Sequence, residues 1–558
     1  MNQNKQLADL LFPNIDKTPE YYENKYPKRN LPEGAKVTRV APSPTGFIHM
    51  GALFAAVIPE RMAHQSGGVF FLRIEDTDKK REVEGGVLEI VNSFEHYELK
   101  FDEGMTSETT EKGIYGPYKQ SERKEIYQTF AKMLVEKALA YPCFCSEEEL
   151  NEIRAKQEEL KQNPGYYGQW ARHRNASFDE IKSELDKGNA FVLRLKSPGK
   201  PENRIAINDL IKGIVEMPEN DQDIVLLKSD GIPTYHFAHA IDDHLMRTTH
   251  VIRGDEWLSS APIHVQLFEI LGWEKPSFAH VPPVLKMDGT SKRKLSKRKD
   301  PEAAVNYYSE QGFPVESVRE YLLTLINSNY EEWRMENPTA SNTEFTVDLA
   351  KMGTGGALFD LIKLTDISKD RIAFMSADKV YDMTLEWAQQ FDIELAEQMK
   401  NNEAYTRAIL GIERGVEKPR KDIAKWSDVR GYLGYFYDGW FEEYTKEGYE
   451  FPENLSKEDV IAVLETYKNT YNKADDKDTW FERAKDAAET LGFARDAKTY
   501  KKNKESFKGH IGDFMSVIRV AIAGRKNTPD LYELLDIMGE ERAKARFEKA
   551  VKSVDKSN

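Results

Sequence analysis

Two short segments carry residue types that can handle a nucleotide triphosphate. The first, Arg39-Val-Ala-Pro-Ser-Pro-Thr-Gly-Phe-Ile-His-Met-Gly-Ala52, reads as a strand, a tight Pro/Gly turn and a helix start. A helix N-terminus at such a turn presents free backbone N–H groups and a positive dipole end, which suit phosphate. Gly51 has no Cβ, so a base or ribose can lie against the backbone there. His49 can donate to a phosphate oxygen as charge develops on it. A core histidine at a helix start would show the same residue types. The second segment, Lys292-Arg-Lys-Leu-Ser-Lys-Arg-Lys299, follows about 250 residues later and reads as a mobile cationic loop. Lys294 and Lys297, three residues apart, can close over a triphosphate and stabilise a leaving pyrophosphate. Taken alone, such a run also reads as a solvated face or a general RNA patch.

Between the two lie further polar residues at strand ends. Arg73-Ile-Glu-Asp-Thr-Asp78 closes an apolar run with clustered carboxylates, Glu75 among them. The carboxyl edge of a parallel sheet is where α/β folds bind ligands. Pro233-Thr-Tyr-His-Phe-Ala-His239 contains Tyr235 and precedes Asp242-Asp243-His244. Val251-Ile-Arg-Gly-Asp-Glu-Trp257 places Arg253 at the end of an apolar strand, with Glu256 just beyond. An arginine near a core needs an anionic partner. Arg39 and Arg253 therefore suit a small molecule with two carboxylates, or else pair internally with Asp or Glu.

These side chains need a scaffold. A strand at 36–40, a helix at 52–65 that Pro59 should kink, and a strand at 69–74 form a β-α-β unit. Residues 120–190 turn charged and helical, and strands return at 191–195 and 223–227. Residues 233–239 and 249–252 and a helix at 258–271 read as the second half of the same sheet. The fold class expected is α/β plus all-α. It consists of a Rossmann-type parallel-sheet catalytic domain in two halves (36–115 and 229–272) around an inserted domain (116–228), then a region with the Lys-Leu-Ser-Lys-Arg loop (273–350) and an all-helical region (351–558). Residues 1–35 read as an N-terminal extension with little core. The chain has 558 residues, room for roughly three or four domains. No apolar run is long enough for a membrane span, no targeting peptide is evident at the start, and two cysteines make no disulfide framework, in keeping with a reducing cytoplasm. The net charge of −15 opposes nucleic-acid binding as a bulk property but leaves room for a local basic groove.

In this order and separation, the two segments resemble the nucleotide-binding motifs of a class I aminoacyl-tRNA synthetase. Arg39–Gly51, Leu72–Asp78, Tyr141–Ser146, Gly231–Trp257 and His280–Asp300 together resemble a glutamyl-tRNA synthetase, with a looser match through the helical half. The resemblance implies ATP-dependent activation of L-glutamate to glutamyl-adenylate, transfer to tRNA(Glu), and release of AMP and diphosphate. It places His49, Gly51, Lys294, Lys297 and Glu256 at ATP, with His49, Lys294 and Lys297 catalytic. It places Arg39, Ser43, Glu75, Tyr235 and Arg253 at glutamate. Magnesium would accompany the triphosphate on phosphate oxygens and water, with no metal ligand from the protein. Glutaminyl relatives typically carry an uncharged residue at the Arg253 position.

Some family members hold structural zinc with a Cys-x-Cys pair and later Tyr and Cys ligands. Here Trp170 stands where the later cysteine would, and two thiols do not close a tetrahedral site; His173 is a further candidate ligand, but bound zinc is not expected. By the same resemblance the inserted domain cradles the tRNA acceptor end, the helical half reaches the anticodon, and the enzyme works as a cytoplasmic monomer. The cluster Tyr432, Tyr435, Phe436, Tyr437, Trp440 and Phe441 suits core packing better than base stacking. A relaxed enzyme that also charges tRNA(Gln), and a non-catalytic tRNA-binding paralogue, are the alternatives.

Overall fold

Val37–Val40 is a four-residue strand between a polar turn and a loop, and its backbone sets the frame for the site. In the computed structural model, which describes residues 3–556 except 79, 80 and 297, it runs parallel to Val69–Leu72 with Val37 opposite Val69 and Val40 opposite Leu72. Phe70, Phe71 and Leu72 are fully buried, as a strand covered on both faces requires. Val69–Leu72 in turn runs parallel to Glu103–Met105. On the other side of Val37–Val40, the Thr249 N–H donates to the Val37 carbonyl at 3.0 Å and brings in His250–Gly254, which is parallel to Ser277–Val281. The parallel order is thus third, second, first, fourth, fifth, the doubly wound arrangement whose switch point lies between the first and fourth strands. Arg39 and Arg253 end the two strands that flank this point.

The helix Met50–Gln65 crosses from the first strand to the second and runs unbroken through Pro59. A three-stranded antiparallel sheet of Ala140–Cys143, Val192–Leu195 and Val225–Leu227 forms the inserted part, with helices Lys124–Glu136, Glu147–Glu159 and Phe178–Asp186. Residues 233–239, read as part of the sheet, instead begin the helix Tyr235–Leu245. Ser291–Lys294 is no loop. It pairs antiparallel with Val284–Asp288, and Arg293 ties the hairpin down by donating to Asp300 at 2.6 and 2.8 Å.

The chain divides into two compact units: residues 1–307 with 319–360, and residues 308–318 with 361–558. The division at 360/361 lies ten residues beyond the boundary expected at 350/351, and one short segment, 308–318, crosses over. The expectation of little core in residues 1–35 is corrected. Helices Gln3–Leu11 and Pro19–Lys25 bury Ala8, Tyr22 and Tyr26 within the first unit, and Arg29 makes a two-pronged ion pair with Glu103 at 2.8 and 2.9 Å. Among the described residues every regular element of the second unit is helical. Its core includes Tyr435, Phe436, Tyr437 and Phe441, which places most of the aromatic cluster in packing.

Candidate active site

The switch point opens into a cavity of about 310 Å³. Its wall includes Arg39 and Ser43 from the end of the first strand and the turn, and His49 and Gly51 from the helix start. Glu75, Tyr235, Arg253, Glu256 and Lys294 complete the set anticipated from sequence. Lys297, the second expected phosphate ligand, lies outside the described residues.

His49 is the N-cap of Met50–Gln65. Its Nδ1 accepts the Ala52 backbone N–H at 2.9 Å. In the neutral ring the proton then sits on Nε2. The two readings of His49, helix start and phosphate donor, are therefore compatible: one nitrogen holds the helix and the other carries an N–H. Gly51 serves the same geometry. A Cβ there would stand 3.1 Å from both His49 Cε1 and Nδ1, so a side chain would press on the capping ring. An antiparallel bridge joins His49 to Ala304, five residues past the cationic run, and so brings that part of the chain to the helix start.

Behind the cavity lies a buried ionic network. Asp242 and Asp243, adjacent on Tyr235–Leu245, are its two anionic centres. Asp243 accepts from Arg39 Nε at 3.1 Å and Nη2 at 3.2 Å, and from Arg73 Nη1 at 2.8 Å. Arg73 Nη2 donates to Glu75 at 3.1 Å. Asp242 accepts from Arg123 at 2.7 Å and from Gln120 and Tyr127, each at 2.8 Å. Burial raises the Glu75 carboxyl above its ordinary value, and Arg73 and Arg39 pull against that shift without cancelling it. Counted as ionised, Arg39, Arg73, Arg123 and Arg253 against Asp242, Asp243 and Glu75 leave one positive charge over, carried by Arg253. Among the described residues no carboxylate pairs with Arg253; its hydrogen-bond partners are His280, His264, the Trp257 carbonyl and the Tyr235 hydroxyl. Tyr235 lies under Trp257 with ring centres 4.0 Å apart, closing that side of the cavity.

Sequence reasoning missed Arg73, Asp243, His264, His280 and Trp257 as parts of this site. Arg73 and Asp243 stood inside the quoted segments, where their position beside Glu75 and Asp242 was the available signal. His239, left without a role, is fully buried, and its Nδ1 lies 2.7 Å from Asp243. Burial lowers it to about 3, so it is a neutral spacer in the network.

A second cluster lies in the inserted part. Cys143, Cys145 and His173 bring their ligand atoms within 4.8 Å of one another. Tyr166 Oη lies 3.2 Å from Cys143 Sγ and 3.4 Å from Cys145 Sγ. Trp170 is turned away, its Nε1 donating to Gln162 at 3.0 Å. His173, the further ligand the sequence offered, thus joins the two thiols, and Tyr166 stands beside both. A hydrogen bond from Cys145, assisted by His173 and Tyr166, holds the Cys143 thiol far below its ordinary value.

Residues 36–352 match the family described as tRNA synthetases class I (E and Q), catalytic domain, and residues 379–551 match an anticodon binding domain. The chain is 54% identical to a glutamate–tRNA ligase of Clostridium perfringens (strain SM101 / Type A), over 98% of this chain and 99% of that protein. It is 50% identical to one from Acetivibrio thermocellus, over 98% and 99% respectively. The crystal structure of a glutamate tRNA ligase from Elizabethkingia meningosepticum in complex with its amino acid superposes with a TM-score of 0.72 at 27% identity, covering 93% of this chain and 99% of that one. The doubly wound sheet, the cavity at its switch point and these relatives agree: the chain belongs to the class I tRNA synthetases of the E and Q group.

Proposed function

We propose that this chain ligates L-glutamate to tRNA(Glu), with ATP as co-substrate. One observation carries the reading: the cavity holds a single uncompensated guanidinium, Arg253, opposite a nucleotide-type helix start. A glutamate side-chain carboxylate supplies the missing counter-charge. Glutamine does not, and its amide nitrogen offers donors to a group that is itself all donor. Glu75, buried and negative beside Arg73, suits the substrate ammonium. Arg39, Ser43 and Tyr235 complete the amino-acid pocket.

On the nucleotide side, His49 Nε2–H faces developing phosphate charge while Nδ1 keeps the helix capped. Lys294, with Lys297 beyond it in sequence, stabilises the leaving pyrophosphate, and Glu256 suits the ATP ribose as a hydrogen-bond acceptor. The glutamate carboxylate attacks the α-phosphorus, pyrophosphate departs, and a terminal tRNA hydroxyl then displaces AMP. The protein acts by positioning and charge stabilisation, with no covalent enzyme intermediate. Magnesium bound to the triphosphate would be held by phosphate and water.

The cluster of Cys143, Cys145, His173 and Tyr166 fits a structural zinc ion by donor type and spacing, and would stiffen the inserted domain. We place the enzyme in the cytoplasm as a monomer; its two free thiols support the first assignment. No helix among the described residues is long and apolar enough to cross a membrane.

Labelled glutamate offered with separate tRNA(Glu) and tRNA(Gln) transcripts tests the reading. Charging of tRNA(Glu) alone is the expected result. Charging of both would show relaxed tRNA choice, and charging of neither by folded protein would overturn the assignment.

A further inference from the structure

Arg253 is held by histidines where other arginines of this site are held by carboxylates. Its Nε donates to His280 Nε2 at 3.1 Å, and its Nη1 to His264 Nδ1 at 2.9 Å. Arginine has only donors, so both ring nitrogens facing it must offer lone pairs. That fixes the proton positions behind them. His280 carries its proton on Nδ1, 2.7 Å from Asp209 Oδ2. Asp209 is oriented in turn by its Oδ1, which accepts the Ile211 and Lys212 backbone N–H groups at 3.0 and 2.9 Å. His264 carries its proton on Nε2 and donates to His236 Nδ1 at 2.9 Å. His264 and His280 are both fully buried. Burial first and the Arg253 charge second hold His236 down at about 4, and burial with its cationic and histidine neighbours holds His264 well below its ordinary value.

A neutral acceptor aims a guanidinium without cancelling its charge. A carboxylate in the same place would aim it and also neutralise it, as Asp243 does to Arg39. We infer that His264 and His280 are positioning residues that set the pocket's preference for an anionic over a neutral side chain, by orienting Arg253 while leaving its charge for the substrate. The inference rests on the glutamate reading above.

The test is tRNA-dependent ATP–pyrophosphate exchange, with glutamate and glutamine titrated separately. The proteins are the wild type, His264→Asn, His264→Asp and Asp209→Asn, each checked by thermal unfolding. His264→Asn keeps a neutral acceptor near the place of Nδ1, so KM for glutamate should stay within about five-fold. His264→Asp should raise KM for glutamate by about 50-fold or more and shrink the preference over glutamine by at least about ten-fold, with kcat changing far less. Asp209→Asn is nearly isosteric. Asp209 Oδ2 also accepts the His280 backbone N–H at 3.0 Å. With the Asn carbonyl on the Ile211 and Lys212 N–H groups, its amide N–H₂ meets both that N–H and His280 Nδ1, which forces the ring proton to Nε2, against Arg253. It should raise KM for glutamate by about ten-fold even if His264→Asp does not fold. Equal damage in His264→Asn and His264→Asp, or unchanged KM and preference in the folded charged and isosteric variants, would overturn the inference while leaving glutamate ligation intact. No exchange by the wild type with either amino acid would overturn the glutamate reading itself, and this inference with it.

Discussion

Arg39 and Arg253 line one cavity, yet only Arg39 is neutralised: Asp243 accepts from it at 3.1 and 3.2 Å, while Arg253 meets two histidine rings, a carbonyl and the Tyr235 hydroxyl. The pair was expected to share the reading of a substrate carboxylate. The ion pairs distinguish them: Arg39 is committed to Asp243, and on the proposed reading Arg253 keeps its charge for the substrate.

Asp243 joins Arg39 and Arg73, all three buried. Asp243→Asn would leave two buried guanidinium groups short of a counter-charge. Breaking such a pair is expected to destabilise the fold by about 3–5 kcal/mol. Denaturant unfolding of wild type and variant measures it. A loss below about 1 kcal/mol would show that the network relaxes or admits water.

His64 lies between Glu60 and Asp102, 3.1 Å from each, with 26% of its side chain exposed. Hydrogen bonds to Asp102 and then Glu60 raise it to about 9, against burial. The folded value stands above the unfolded one near 6.5, so this clamp stabilises fully below about 6.5 and its contribution disappears as pH rises through about 9. With screening, the contribution is on the order of 1–2 kcal/mol. His64→Gln should flatten the pH dependence of the unfolding midpoint across that window. An identical slope in wild type and variant would remove His64 as the source.

Gly51→Ala places a methyl group 3.1 Å from the His49 ring. Alanine is a better helix former than glycine, but pressure on the capping ring works against that gain, so stability should change by less than about 1 kcal/mol. Displacing the ring should nevertheless slow ATP–pyrophosphate exchange by about 10–100-fold. Unchanged exchange would mean that the His49 position has no bearing on the phosphates.

The cluster of Cys143, Cys145, His173 and Tyr166 predicts about one zinc per chain in protein purified without chelators. His173→Ala should lose it, as read by metal analysis of the purified protein. Protein prepared with zinc in the medium that carries none would refute the site.

Much of the site was legible before any coordinates because it is local. Arg39 through Ala52 is strand, turn and helix start in one continuous stretch, and Gly51 and His49 act on each other two residues apart. Arg253 was legible because an arginine closing an apolar strand demands a partner. The identity of that partner was not. His264 and His280 sit on an apolar helix and an apolar strand, where a histidine reads as ordinary core, and only the fold brings both to one guanidinium. The first part of the cationic run, 292–294, read as a loop, has the same cause. Arg293 is tied by Asp300, and the charge run conceals which cation is structural. In residues 1–35 the apolar side chains are too sparse to show a period, but Tyr22 and Tyr26 find a surface prepared by distant chain. His173 was seen, and the chelating geometry around it depends on the strand pairing that fixes Cys143.

The Arg253 charge is what selects glutamate on this reading. Aminoacylation of tRNA(Glu) by wild type and Arg253→Gln, with labelled glutamate and labelled glutamine in parallel, measures it. The variant should lose about 100-fold or more in kcat/KM for glutamate, and its preference over glutamine should collapse. A variant that still selects glutamate over glutamine as the wild type does would contradict it, because the carboxylate would then be read elsewhere.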